Sequence, residues 1–95
     1  MPQGADWPLP LIQFYLGKLS ETEVRRAALS PDSWTERGQR CEADFYIGEW
    51  RLLHGDRSAA RQLFERALAE CPIYFIEYEI LPVELKRLET EAAVQ

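Results

Sequence analysis

The 95-residue chain contains one histidine, two cysteines and five glycines, and each of these scarcities excludes a kind of site. Nucleophilic catalysis needs a serine or cysteine with a base and an orienting group, and no such pattern is recognisable. No glycine-rich loop is present to hold a phosphate. A metal site is not expected, since His54 lies at the opposite end of its predicted helix pair from both cysteines. The sequence therefore predicts a non-enzymatic protein with no catalytic residue, no metal and no cofactor.

Basic residues are also few, with 11 lysines and arginines against 16 aspartates and glutamates and a net charge of −5. A nucleic-acid binder needs a basic stripe, and none is visible. No apolar run approaches the roughly 18 residues of a membrane span. The opening MPQGADWPLP lacks the basic and apolar regions of a signal peptide. As it stands the chain is expected to be cytoplasmic, or to belong to the cell envelope if it is a fragment of an exported precursor.

The composition is that of one folded domain, because 46% of the residues are hydrophobic and 28% are charged with mixed signs. No long segment alternates with period two, so the fold class is predicted to be all-α. Residues 1–6 are polar or small and are expected to be disordered. The first predicted helix starts in Trp7–Pro10 and ends at Gly17. Its apolar stripe is read as Leu9, Ile12 and Leu16, broadened by Phe14 and Tyr15.

Four further helices are predicted. The second, from Glu21 to Leu29, follows the capping-box sequence Ser20–Glu23. The third begins near Trp34 or Thr35, and Gly55 and Asp56 turn the chain into the fourth, which Pro72 ends. The apolar faces of these two helices are Ala43, Tyr46, Ile47, Trp50 and Leu53, then Ala60, Leu63, Phe64, Ala67, Leu68 and Cys71. A closing helix covers 75–91, with a kink or a restart expected at Pro82.

The stretch from 41 to 72 resembles a tetratricopeptide repeat, a helix–turn–helix unit of 34 residues with small and apolar residues at fixed offsets. Seven residues occupy the positions of that pattern: Ile47, Gly48, Gly55, Ala60, Phe64, Ala67 and Pro72. Asp44 and Arg51 depart from it, since the family favours a large apolar residue and tyrosine there. The resemblance implies a helical array with one complete repeat between flanking or capping helices, in which small residues let the helices pack closely.

The order of the segments over residues 7–90 narrows the resemblance. The segments come in the order FYLG, a Ser-Glu capping box, a short helix, DFYIG and FIEY. This order resembles that of the C-terminal part of NlpI-like bacterial lipoproteins. Those proteins are non-enzymatic adaptors of the cell envelope that bind peptidases and cell-wall hydrolases. The resemblance implies a bacterial adaptor or scaffold that binds other proteins.

Cys41 and Cys71 flank the predicted turn at equal distances along the chain. In an antiparallel helix pair such residues lie at the same end, so their sulfur atoms could approach. One reading is a disulfide, worth about 3–4 kcal/mol in an oxidising compartment. The other is two small buried thiols in a reducing one.

The expected partner-binding face is the exposed side of the third helix, where Glu42, Phe45, Glu49 and Leu52 fall together. Phe45 and Leu52 would be apolar anchors for a peptide or a partner helix, unless neighbouring helices cover them. The alternative function is a C-terminal capping module of a longer repeat array, with no ligand of its own. Because about three repeats are normally needed for stability, the leftover apolar surface, including Trp7, Trp34, Tyr74 and Phe75, also suggests a homodimer.

Overall fold

The computed structural model describes residues 7–71 and 76–94, with side chains at 7–71 and 79–90. Within those residues the chain forms five α-helices and no strand, which confirms the all-α prediction. The helices are α1 (Leu9–Tyr15), α2 (Glu21–Ala27), α3 (Ser33–Leu53), α4 (Arg57–Glu70) and α5 (Ile76–Val94). Residues 1–6, Pro72, Tyr74 and Phe75, all part of the sequence predictions, lie outside the described residues.

Side-chain caps fix where the middle helices begin. The Ser20 hydroxyl accepts from the Glu23 amide at 3.1 Å, and the Glu23 carboxylate accepts from the Ser20 amide at 2.9 Å, which confirms the capping box. Asp56 caps α4 by accepting from the Ala59 amide at 3.1 Å, as predicted. Asp32 caps α3 by accepting from the Thr35 amide at 3.0 Å, a cap that the sequence analysis missed.

Two glycines end helices in the left-handed region of backbone space. Gly17 has φ +77° after α1, and Gly55 has φ +84° between α3 and α4. A side chain would be strained at either position, because L-residues other than Asn and Asp rarely adopt this conformation. The helix ends predicted at these glycines are confirmed.

Of the two alternatives predicted at Pro82, a kink or a restart, the restart is wrong, because the helix runs without interruption from Ile76 to Val94. Pro82 is exposed, whereas Leu81 and Leu88 are buried on the opposite side against the rest of the protein. The proline ring therefore projects into solvent, and tertiary packing of the buried face holds the helix together across the missing hydrogen bond.

Helix α3 lies between two hydrophobic cores. On one side Cys41 and Phe45 pack with Ala60, Phe64, Ala67 and Cys71 of the α4 segment and with Leu81 and Leu88 of α5. On the other side Ala43 and Ile47 pack with Leu11 and Phe14 of α1, Val24 of α2 and Leu63. Because both cores use the same helix, α3 contacts all four other helices, although α5 packs mainly against α4.

At Gly48 the packing of α3 against α4 leaves no room for a side chain. A Cβ built at this position would lie 2.7 Å from Cε1 and 3.0 Å from Cδ1 of Phe64. The Phe64 ring is fully buried, so close packing leaves it little room to move. A small residue is therefore required at position 48 for steric reasons.

The register of α1 differs from the prediction. Its buried residues are Pro10, Leu11 and Phe14. The predicted stripe of Leu9, Ile12 and Leu16 is on the outside, with Ile12 54% and Leu16 65% exposed. The physical reason is that α1 is apolar on all sides, so spacing alone does not decide which side faces the core. On α3, Leu53 is likewise exposed, and Tyr46 is partly exposed.

Cys41 and Cys71 are joined by a disulfide, with their Cα atoms 4.9 Å apart. Both residues are buried in the core between α3, α4 and α5. The bridge closes the helix pair at the end opposite Gly55. By restricting the unfolded chain, a loop of 30 residues contributes about 3–4 kcal/mol to stability.

Replacing Gly48 with alanine tests the close approach of α3 and α4. Alanine gains up to about 1 kcal/mol of helix propensity over glycine, but overpacking costs about 1–3 kcal/mol. We therefore expect Gly48→Ala to lower the free energy of unfolding, measured by urea denaturation. In a Phe64→Leu background the same substitution should be neutral or stabilising. An equal effect in both backgrounds would show that the Phe64 ring does not constrain position 48.

Candidate functional site

The main concave apolar feature of the described residues is an open groove between α1 and α3, with a volume of about 390 Å³. Its walls are Pro8, Leu11, Ile12, Tyr15 and Leu16 on the α1 side and Glu42 and Tyr46 on α3. All but Glu42 offer mainly apolar surface. We refer to this feature below as the α1–α3 groove.

The position of α1 over α3 is fixed by packing and by two hydrogen bonds. The ring of Phe14 packs against Trp50 with ring centroids 5.1 Å apart. The Tyr15 hydroxyl donates to the backbone carbonyl of Tyr46 at 2.6 Å, and the Trp7 indole Nε1 donates to Glu42 Oε1 at 2.9 Å. The groove is therefore a defined shape with polar contacts at its two ends.

The four predicted partner-binding residues of α3 are not brought together on one free surface. Phe45 is only 6% exposed and packs with Phe64 in the core beneath α5, and Leu52 packs against the same core. The prediction of an apolar anchor at Phe45 is corrected, because the core beneath α5 buries it, and Leu52 is only partly exposed. Glu42 lines the α1–α3 groove instead. Substitution of Phe45 would thus test core packing and not partner contact.

Glu49, the fourth predicted residue, faces α5. It shares a hydrogen bond with Glu84, a buried carboxyl group to which Arg87 Nη1 donates at 3.0 Å. Burial, the hydrogen bond to Glu84 and the charge of Glu84 together raise the pKa of Glu49 to about 7, although Arg87 opposes the shift. One proton between the two carboxyl groups therefore links α3 to α5 below about neutral pH.

Asp44, one of the two departures from the repeat pattern, is a buried acidic residue of α3. The residue is 1% exposed, and its carboxylate accepts from Arg25 of α2 at 2.7 Å and from Arg66 of α4 at 3.0 and 3.2 Å. These hydrogen bonds join α2, α3 and α4. The large apolar residue that the repeat family favours at position 44 could not form them. The ion pairs hold α2 against the α3–α4 pair.

Arg51, the other departure from the family pattern, extends the same network. It lies 2.7 Å from Glu21 of α2 and 3.6 Å from Asp56 at the start of α4. Glu21 also pairs with Arg25 at 3.4 Å. Hydrogen bonding to Arg51 and the charges of both arginines lower the pKa of Glu21 against the opposing effect of burial. Both departures thus serve the attachment of α2.

The seven positions of the repeat pattern lie where close packing needs them, as far as the structure describes them. Ile47, Ala60, Phe64 and Ala67 are fully buried and Gly48 is buried, while Gly55 forms the turn. His54 caps the C-terminal end of α3, where Nδ1 lies 2.8 Å from the Trp50 carbonyl oxygen and the ring stacks on Trp50. His54 is therefore an exposed residue at the end of α3.

Comparison with models of known protein families gives no match, and comparison with solved structures gives no significant one. Over the residues that the structure describes, no helix combines the length and the apolar character that crossing a membrane requires.

Sequence reasoning missed the groove residues Ile12, Tyr15, Leu16 and Tyr46 because it assigned their apolar side chains to the core. One signal was available. Seven residues of α1 read LPLIQFY, and a helix that is apolar on every side has more apolar surface than one neighbour can cover. The apolar sequence of α1 therefore predicts that its outward face contacts a second apolar surface.

The shared proton between Glu49 and Glu84 makes stability depend on pH. Since the pKa of Glu49 in the folded chain, about 7, lies above its ordinary value of 4.5, the folded state binds the extra proton between those values. The free energy of unfolding should therefore fall as the pH rises through about 7. Because Glu49 is only half-buried, solvent screening limits the loss to about 1 kcal/mol.

Urea denaturation at about pH 5 and about pH 8 checks this effect. Glu49→Gln should lose less stability between the two pH values than the unchanged chain does. The matched control is Glu65→Gln, since Glu65 is an exposed carboxylate of α4 and its removal should leave the pH dependence as it was. An unchanged dependence in Glu49→Gln would contradict the shared proton.

The Asp44 ion pairs give a second prediction. Asp44→Asn removes the buried charge that Arg25 and Arg66 contact, and both arginines can then turn to water because their side chains are 32% and 52% exposed. We expect a loss of about 1–3 kcal/mol in unfolding free energy, as for hydrogen bonds to charged groups. Glu65→Gln serves again as the control. A change within about 0.5 kcal/mol would mean that the network contributes little.

Proposed function

We propose that this protein is a non-enzymatic protein–protein interaction module that binds a peptide or a partner helix in the α1–α3 groove. The observation that carries the proposal is the outward apolar face of α1, where Leu9, Ile12 and Leu16 are exposed beside a preformed groove. Contiguous exposed apolar surface with a polar border is typical of interaction sites on folded domains. Helix-in-groove binding uses this kind of surface.

The proposal includes the repeat family named from the sequence. The α3–α4 pair has a glycine turn, a small residue at the helix crossing and buried alanines on α4, which supports a tetratricopeptide-like unit. The segment order supports a bacterial adaptor similar to NlpI-like lipoproteins. Compared with the sequence prediction, the binding face moves from the Phe45 side of α3 to its Glu42 side, because α5 occupies the former.

The exposed apolar face of α1 also favours a second function. In a repeat array each unit packs against the previous one, and the outer face of α1 lies where a preceding helix of a longer chain would dock. The protein would then be a C-terminal capping module, and the groove would be filled in cis. The genomic reading frame upstream distinguishes the two functions, because a repeat-rich precursor favours capping.

Affinity capture from the source cell tests the binding function, with the unchanged chain, Ile12→Glu and Leu53→Glu as baits. Leu53 is 75% exposed and outside the groove lining, so Leu53→Glu controls for the added charge. We expect a protein that is retained by the unchanged chain and by Leu53→Glu and is lost with Ile12→Glu. Equal recovery with all three baits would contradict the groove.

Sedimentation velocity on the same three proteins tests whether the chain forms the homodimer that its remaining apolar surface suggests. The outer face of α1, where Leu9, Ile12 and Leu16 are exposed, is the described surface on which this self-association is tested. A dimer that Ile12→Glu converts to a monomer would assign the groove to a second copy. A concentration-independent monomer would contradict self-association.

A further inference from the structure

The α1–α3 groove has an acidic border. Glu42 is its charged lining residue, and none of the lining residues is basic. Glu42 Oε1 accepts from Trp7 Nε1, and within the described part of the chain no lysine or arginine forms an ion pair with Glu42. Asp44, by contrast, has two arginine partners. Lys18 follows the end of α1 but does not line the groove. Among the described residues, the groove therefore has an apolar wall and one acid, Glu42, that forms no ion pair with a lysine or arginine.

A second acidic residue lies farther along α3. Glu49 lies two turns beyond Glu42 on α3, roughly 10 Å along the helix axis. After burial, the charge of Glu49 is the next cause that raises the pKa of Tyr15, a groove residue, to about 12. The net charge of the whole chain, −5, has the same sign. An approaching cation is therefore attracted by Glu42 in the groove and by the net negative charge of the chain.

The dimensions of the groove define the size of the segment that fits. With seven residues, α1 is roughly 10 Å long, which matches about two turns of a partner helix. Ile12 and Leu16 are one turn apart, so they can contact apolar side chains at i, i+3 or i+4, and i+7 of that helix. The position of Glu42 on the opposite wall then selects a basic residue at the edge of the apolar stripe.

We propose that the occupant of the α1–α3 groove is a short cationic amphipathic helix of another protein, with apolar side chains against Ile12 and Leu16 and a lysine or arginine against Glu42. The proposal rests on the proposed function and adds the chemistry of the partner. In a two-fold dimer through this surface, the groove of one copy would face the groove of the other. Each groove has an acidic lining residue and no basic one, so the two would repel each other. Charge complementarity therefore favours a basic partner over a second copy.

Two synthetic peptides test the inference. Both carry leucine at i, i+3, i+4 and i+7 over about 14 residues, and they differ only in lysine or glutamate at the flanking positions. Binding is measured by isothermal titration, and the site by amide chemical-shift changes. We expect the lysine peptide to bind at the groove and the glutamate peptide to bind at least about tenfold more weakly. Added salt should weaken the binding of the lysine peptide.

Variants separate the charge from the apolar contact. Glu42→Gln keeps the hydrogen-bond acceptor for Trp7. It should weaken the binding of the lysine peptide about fivefold, and circular dichroism should show no loss of helicity. Leu16→Glu should abolish binding of both peptides, and Leu53→Glu should leave binding unchanged. Equal affinity for the two peptides, or an unchanged affinity in Glu42→Gln, would overturn the cationic partner while leaving groove binding intact. Chemical-shift changes away from the groove would overturn both.

Two other occupants are outcomes of the same experiment. Sedimentation velocity that shows a dimer, broken by Leu16→Glu and unaffected by the lysine peptide, would assign the groove to a second copy. Co-sedimentation with phosphatidylcholine vesicles, lost in Leu16→Glu and unmatched by any binding of the lysine peptide, would assign it to a lipid surface. Either result would overturn the proposal.

Discussion

The contact between Gly48 and the Phe64 ring is the constraint on which the rest of the structure depends. It sets the separation of α3 and α4, and both hydrophobic cores are built on that pair. Because the ring fills the space that a Cβ would need, the two helices approach more closely than larger residues would allow. Helix α5 then packs against one side of the pair, and α1 and α2 pack against the other.

The attachment of α2 is mainly electrostatic, whereas α1 and α5 are attached mainly by apolar contact. A chain of alternating charges runs from Arg66 through Asp44 and Arg25 to Glu21 and Arg51. Val24 supplies the buried apolar contact of α2. Such networks cost desolvation energy but specify geometry, because each charge must meet its partner. Here they orient α2 so that α1 lies across α3 and forms the groove.

The parts of the fold that were predictable from sequence are those fixed by local chemistry. The Ser20 capping box, the Asp56 cap and the two left-handed glycines need only neighbouring residues. The side of α1 that faces the core was not predictable, because Ile12 and Leu11 are equally apolar. The buried Asp44 was also missed, since its arginine partners are distant in sequence. The groove could not be located until the register of α1 and the position of α5 over Phe45 were known.

The Cys41–Cys71 bridge makes the α3–α4 pair a closed covalent ring that contains the Gly55 turn. A protease that cuts in this turn would separate no part of the protein, because the sulfur–sulfur bond still joins the two helices. A pulling force applied at residues 41 and 71 would likewise be carried by the bridge and not by the helix packing. Under a force applied outside the ring, α1, α2, the part of α3 before Cys41 and α5 can be extended. The α1 wall of the groove can then be pulled away from Glu42 and Tyr46, which lie inside the ring.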